Sequence, residues 1–292
     1  MAYVKYFLSE NKPKIAPKIL NALIKQFLLE DIGKQDITTA LCIKKNKKIR
    51  VKIIAKENFI VCGVLIAKQV FKSIDPGLKF KPLLKEGAYV KNKQTIAIIS
   101  GPARSILTAE RVSLNLLALL SGIATKTHKF VSKIHPFKTK ITDTRKTLPG
   151  LRLLQKYAVR IGGGYNHRMR LDEMILIKDN HIQAAYKCIS LLKIPEGEKI
   201  EIEAQNLGEF KKALQLKPAI IMLDNMKISD IKKAIAIPHP GTKLEVSGGI
   251  NLKNIRKYAA TGVDIISVGE LTDSVASVDI CLDTHSLCKD LN

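Results

Sequence analysis

The chain has 292 residues, of which 46% are hydrophobic and 26% charged, and a formal net charge of +23. It is long enough for two domains or one of barrel size, with ample apolar side chains for a core. Five cysteines (Cys42, Cys62, Cys188, Cys281 and Cys288), odd in number and without a CxxC pair, argue against a disulfide framework or a zinc site and fit a cytoplasm.

No apolar run reaches the roughly 18 residues of a spanning helix. The longest, Leu114 to Thr125, is interrupted by Asn115 and Ser121. The N-terminal stretch lacks the apolar core and small-residue cleavage site of a secretory signal. Neither observation points to a membrane. The positive charge has three readings: a nucleic-acid binder, an enzyme for polyanionic small molecules, or a lysine-rich solvated surface. Runs such as Lys44-Lys45-Asn46-Lys47-Lys48 read as surface turns. With no Trp and 5% aromatics, no basic stretch is interleaved with rings for base stacking, which disfavours nucleic acid.

In chain order, Ile15 to Leu29 has helical apolar spacing at Ile15, Ile19, Leu23 and Phe27. Arg50 to Ala55 and Thr95 to Ser100 are β-branched runs bounded by turns, as strands are. A long helix is expected from near Pro102 to about Ile134, ended by His135-Pro136. Six short apolar stretches follow: TKITDTRK, EMILIKDNH, KIEIEAQ, AIIMLDN, KLEVSGGI and DIISVGE, with starts roughly 20 to 35 residues apart. That spacing accommodates one strand and one helix each. Near-continuous Val, Ile and Leu marks strands buried on both faces, so parallel strands joined by helices are expected, with a β/α barrel the compact way to close them. The expected division is an α/β domain over residues 1–116, the barrel over 117–274, and a C-terminal segment over 275–292 packing back on the first domain.

In such barrels the active site lies at the C-terminal strand ends. The six tips carry Thr144-Arg145-Lys146, Lys178-Asp179-Asn180-His181, Glu203, Asp224, Ser247-Gly248-Gly249 and Val268-Gly269-Glu270. Arg145, Lys146, His167, Arg168 and Lys178 make one half of the expected mouth cationic. Arginine forks and lysine point charges suit a substrate with several carboxylates or phosphates. Arg170 and Arg168 also fit surface salt bridges, and His167 also fits a structural histidine. Glu203 and Asp224, from successive strands, suit Mg²⁺, ribose hydroxyls or positive charge on a sugar carbon; simple pairing with Lys178 or Arg145 is the bland alternative. The glycine tips let backbone N–H groups approach phosphate.

These residues resemble the quinolinate phosphoribosyltransferase family over nearly the whole chain. The resemblance rests on EDIGKQDITT, AERVSLNLLALLSGIAT, DTRKTLPGLRLLQKYAVRIGGGYNHR, LIKDNHI, IEIEA, IMLDN, LEVSGGI and GVDIISVGELTDS. It implies an N-terminal α/β open sandwich before an incomplete β/α barrel, and a homodimer or assembly of dimers in which Arg111 reaches the neighbour's site. The reaction implied is transfer of a phosphoribosyl group from phosphoribosyl pyrophosphate to quinolinate, with loss of carbon dioxide. By the same resemblance Thr144, Arg145, His167, Arg168 and Lys178 hold quinolinate. Lys146 and Lys178 lie near pyrophosphate. Glu203 and Asp224 serve Mg²⁺ and ribose. Ser247, Gly248, Gly249, Val268, Gly269 and Glu270 surround the 5′-phosphate. Lys146, Lys178, Glu203 and Asp224 are the expected catalytic set.

Three positions depart from the family's pattern: Gln35 for glycine, Gln155 for glutamate, and Asp273 for the histidine of an LTHS string. Two alternatives stay open at this point. One is a same-fold paralogue of the molybdenum-transport type, against which Arg111, Asn115, Lys178 and His181 argue. The other is a basic nucleic-acid binder.

Overall fold

The computed structural model describes residues 14–185 and 199–284. Cys188, Cys288 and the end of the C-terminal segment lie outside the described residues. Two compact units emerge: Lys12–Lys126 with Leu153–Gly162 and Val275–Asn292, and Thr127–Arg152 with Gly163–Ser274, each taken over its described residues.

The first unit opens with α1 (Pro17–Ile32), where Pro17 occupies the first turn, and Ile24 and Leu28, one turn apart, face inward. Helix α2 (Ile37–Cys42) is capped by Asp36, whose carboxylate accepts the Thr39 N–H at 2.9 Å. Strand β1 (Lys48–Ala55) alternates between buried and more exposed side chains over its second half, the period of a sheet solvated on one face. After β2 (Phe59–Ile60) comes α3 (Val64–Ile74), then β3 (Lys79–Pro82), β4 (Tyr89–Val90) and β5 (Thr95–Pro102).

Helix α4 (Ala103–Lys133) follows at once and crosses the division between the units. It is long and apolar enough, by length and composition, to cross a membrane, which amends the expectation from uninterrupted runs. Yet 61% of its most apolar window is buried inside the fold, as in a core helix. Its polar residues have internal work as well: Ser121 Oγ accepts the Cys62 N–H, and Thr125 Oγ1 accepts the Ile60 N–H, both at 2.9 Å.

The second unit's strands are β6 (Lys140–Thr142), β7 (Ile175–Ile177), β8 (Ile200–Ala204), β9 (Ile220–Asp224), β10 (Lys243–Ser247) and β11 (Ile265–Ser267). They coincide with the six apolar stretches. The intervening helices are α5 (Arg152–Ile161), α6 (Asp179–Ala185), α7 (Leu207–Leu214), α8 (Ile228–Ala236) and α9 (Ile255–Ala259), followed by the short α10 (Glu270–Asp273). Of these, α5 belongs almost wholly to the first unit.

The sheet order is β6-β11-β10-β9-β8-β7, parallel throughout. First and last strands are therefore neighbours, and hydrogen bonding is left open between β6 and β7. This is the incomplete barrel expected. In the first unit β12 (Ile280–Asp283) pairs with β1, giving a four-stranded sheet β12-β1-β5-β3 with antiparallel pairs.

Candidate active site

Register decides what faces the inside of the parallel sheet. Side chains opposite one another share a face, and so do residues two apart on one strand. Leu176 pairs with Glu201, Glu203 with Met222, Met222 with Glu245, Glu245 with Ile265, and Thr142 with Ser267. One face thus carries Glu201, Glu203, Met222, Asp224, Glu245, Ser247 and Ser267, with Lys178 just beyond β7. A cavity of about 320 Å³ opens among Thr144, Arg145, Lys146, His167, Arg168, Leu176, Lys178, Met222 and Ser267. Five basic or imidazole side chains thus line one small space.

Each is held by its element. Thr144 to Lys146 leave the end of β6, and the Thr144 hydroxyl accepts the Lys146 N–H at 3.0 Å. Arg145 Nε is buried without a hydrogen-bond partner among the described residues, a donor lacking an oxygen. Asp143 clamps the next loop, accepting the His167 N–H at 2.9 Å on one oxygen and the Asn166 side-chain N–H on the other. Arg168, buried, donates through one terminal nitrogen to the Met174 carbonyl at 2.9 Å. Burial and the charge of Arg145 lower its pKa, and Glu201 works against both. Lys178 follows β7, its N–H donating to His181 Nδ1 at 3.0 Å and its Nζ 3.5 Å from Glu203.

Opposite the cations, burial raises the Glu203 carboxyl above its ordinary value. Lys178 opposes the rise, and Asp224 and Asp179 add to it. Two further carboxylates act on Glu203 against the one lysine that pairs with it, which leaves a local demand for positive charge. Asp224 accepts from the Asn225 side chain at 2.7 Å, and Asn225 in turn fixes the glycine tip. Gly248 has φ +94°, and a Cβ there would collide with the side chain and backbone of Asn225, so only glycine fits. At the last tip, a Cβ on Gly269 would lie 3.0 Å from the Lys146 stem and 3.1 Å from Asp273 Oδ2. The divergent Asp273 therefore shares this corner with a lysine.

The expected residues divide clearly. Thr144, Arg145, Lys146, His167, Arg168 and Lys178 line the cavity. Glu203 joins through Lys178, and Asp224 through its influence on Glu203. Ser247 ends β10 with Gly248 and Gly249 after it, and Val268, Gly269 and Glu270 follow β11, without lining the cavity. Arg111 is exposed on α4, in the first unit. Glu201, Glu245 and Ser267 were not among the expected site residues. Glu201 lies two residues before Glu203 on a fully buried strand, and that period was the available signal.

The chain matches the family models of quinolinate phosphoribosyl transferase over both domains, the N-terminal at residues 36–121 and the C-terminal at 123–283. The chain belongs to the quinolinate phosphoribosyltransferase family. A relative from Methanocaldococcus jannaschii named as a probable nicotinate-nucleotide pyrophosphorylase is 43% identical, covering 89% of this chain and 95% of its own. One from Synechocystis with the same name is 41% identical, over 85% and 87%. The solved nicotinate-nucleotide pyrophosphorylase of Francisella tularensis superposes with a TM-score of 0.86 at 40% identity, covering 94% of this chain and 99% of its own. These family relatives align with both halves of the molecule.

Proposed function

We propose that this family member transfers the phosphoribosyl group of phosphoribosyl pyrophosphate to quinolinate and releases carbon dioxide, forming nicotinate mononucleotide for NAD biosynthesis. The observation that carries the proposal is the cavity wall, where Arg145, Lys146, Arg168 and Lys178 converge on about 320 Å³, with Glu203 3.5 Å from Lys178 and Asp224 near enough to Glu203 to raise its pKa. A dicarboxylate meets the cationic side; a sugar gaining positive charge meets the acidic side. The names of the full-length relatives support the same reaction, and nothing found supports a paralogue of other function or a nucleic-acid binder.

Arg145 and Arg168 grip the two carboxylates and aim the pyridine nitrogen at the anomeric carbon. The N–C bond forms as the bond from that carbon to pyrophosphate breaks, and Lys146 and Lys178 offset the charge of the departing group. Glu203 and Asp224 stabilise the positive ribose. The ring, now a pyridinium, accepts the electron pair left when the adjacent carboxylate departs as carbon dioxide, and a solvent proton fills that position. Glu203 and Asp224 fit a magnesium site because their carboxylates leave charge that Lys178 alone does not match. Bound there, Mg²⁺ would neutralise pyrophosphate charge. Ser247, Gly248, Gly249, Val268, Gly269 and Glu270 form the 5′-phosphate corner. A cytoplasmic homodimer in which Arg111 serves the neighbouring site completes the reading.

The test is direct. Purified protein given quinolinate, phosphoribosyl pyrophosphate and Mg²⁺ yields nicotinate mononucleotide. No product, with tight salt-sensitive binding of nucleic acid instead, would overturn the proposal.

A further inference from the structure

Behind His167 lie Glu201 and Glu245, both fully buried, with carboxylate oxygens that have no hydrogen-bond partner among the described residues. Glu201 Oε2 is 3.0 Å from His167 Nε2, and Glu245 Oε1 is 3.7 Å away. The opposite ring nitrogen, Nδ1, accepts the Arg168 backbone N–H at 2.8 Å. A neutral imidazole carries one proton, and a nitrogen that accepts cannot also hold it. The proton is therefore on Nε2, the nitrogen nearer Glu201.

This tautomer also decides between two uses of the cluster. His167, Glu201 and Glu245 place three potential metal-ligand atoms within 4.8 Å of one another. A metal would need the Nε2 lone pair, which the proton occupies. The ring instead stands between a buried carboxylate, 3.0 Å from its Nε2, and the backbone of a cavity arginine, whose N–H its Nδ1 accepts.

We propose that Glu201 is a positioning residue for the substrate carboxylates, acting through the His167 ring to hold Arg168 in place. This rests on the phosphoribosyl-transfer reading and adds to it a specific means of fixing one carboxylate ligand. Two routes reach Arg168 from Glu201. One is the ring, in close contact with Glu201 at Nε2 and accepting the Arg168 N–H at Nδ1. The other is charge: Arg145 and burial both disfavour the Arg168 guanidinium, and Glu201 offsets them. Arg168 makes its grip with a planar fork, whose bidentate contact tolerates little displacement. Asp143 holds the same loop from the other side, so losing Glu201 should tilt the fork without unfolding the loop.

The test compares the wild type with Glu201→Leu, which removes acceptor and charge, and Glu201→Gln, which keeps an acceptor oxygen. One hydrogen bond contributes about 0.5–1.5 kcal/mol, or roughly twofold to tenfold in affinity. Expected is a KM for quinolinate raised about tenfold or more in Glu201→Leu and about threefold in Glu201→Gln, with kcat and the KM for phosphoribosyl pyrophosphate little changed. A purely structural role would lower the active fraction, and hence kcat, at constant KM.

Nitrogen-15 NMR of histidine-labelled protein should show His167 as the neutral Nε2–H tautomer in the wild type, a result independent of turnover. A doubly protonated or Nδ1–H ring, an unchanged quinolinate KM in Glu201→Gln, or stoichiometric metal in the wild type lost in Glu201→Gln would each overturn the inference. Should Glu201→Leu fail to fold, the tautomer and the Glu201→Gln kinetics still decide. Failure of the reaction itself would appear separately, as a wild type without product.

Discussion

The two sheets of this molecule bury their side chains by different rules. In the antiparallel sheet, β1 alternates, and its buried positions Val51, Ile53 and Ala55 are apolar. In the parallel sheet, β8 is buried at all five positions, yet two of the five are glutamates. A buried carboxylate costs several kcal/mol unless it is paired or protonated. The antiparallel sheet's inward residues serve the core. The parallel sheet's polar face is tolerated because cations, an imidazole and a retained proton meet it. The difference separates a supporting surface from a working one.

The sharpest way to break this comparison is Lys178→Ala. Removing the lysine that faces Glu203 should cut turnover by about a hundredfold to a thousandfold, while circular dichroism stays native. Retained product formation would remove Lys178 from the site. The counterpart in the other sheet is Ile53→Ala, which should lower unfolding free energy by about 3 kcal/mol in denaturant titration, at an Ile with no exposed surface. Its activity per folded molecule should hold.

A subtler contrast lies in pH. Burial, and then the charge of Glu201, push the Glu245 carboxyl up to about 8. The folded state therefore binds a proton that the unfolded chain has already released. That contribution to stability is full below the ordinary carboxylate range and is lost as pH rises towards about 8. Glu245→Gln, which mimics the protonated acid, should thus gain melting temperature relative to wild type as pH rises from 5 to 9. A difference that stays flat with pH would show that Glu245 titrates normally. The smallest effect belongs to the α2 cap: Asp36→Ala should cost about 1 kcal/mol. Because the Thr39 hydrogen bonds lower the Asp36 pKa, that cost should shrink as pH falls through the carboxylate range.

Much of this was legible in the sequence. The six parallel strands announced themselves through continuous Val, Ile and Leu, and Arg145, Lys146 and Lys178 through their place at strand tips. The short pieces of the first unit were harder. Strands β2 and β4 have two residues each, too few for any period, and β12 pairs with a strand more than 200 positions earlier. Helix α4 was legible in extent but not in burial, because nothing along the helix shows that Ser121 and Thr125 have backbone partners in the β2 region. In the site, Glu201 and Glu245 were hidden for a related reason. A glutamate inside a strand reads as solvent-facing; the two-residue spacing from Glu203 is the one hint for Glu201, and the register across β8, β9 and β10 brings Glu245 to the same face.

The central claim is that one cationic cavity couples ribosyl transfer to decarboxylation. Quinolinate carrying a labelled carboxyl group beside the ring nitrogen tests it most directly, with released carbon dioxide and pyrophosphate counted in the same reaction. The account predicts one carbon dioxide for each pyrophosphate, with both dependent on Lys178. Pyrophosphate released while the label stays on the ring would contradict it.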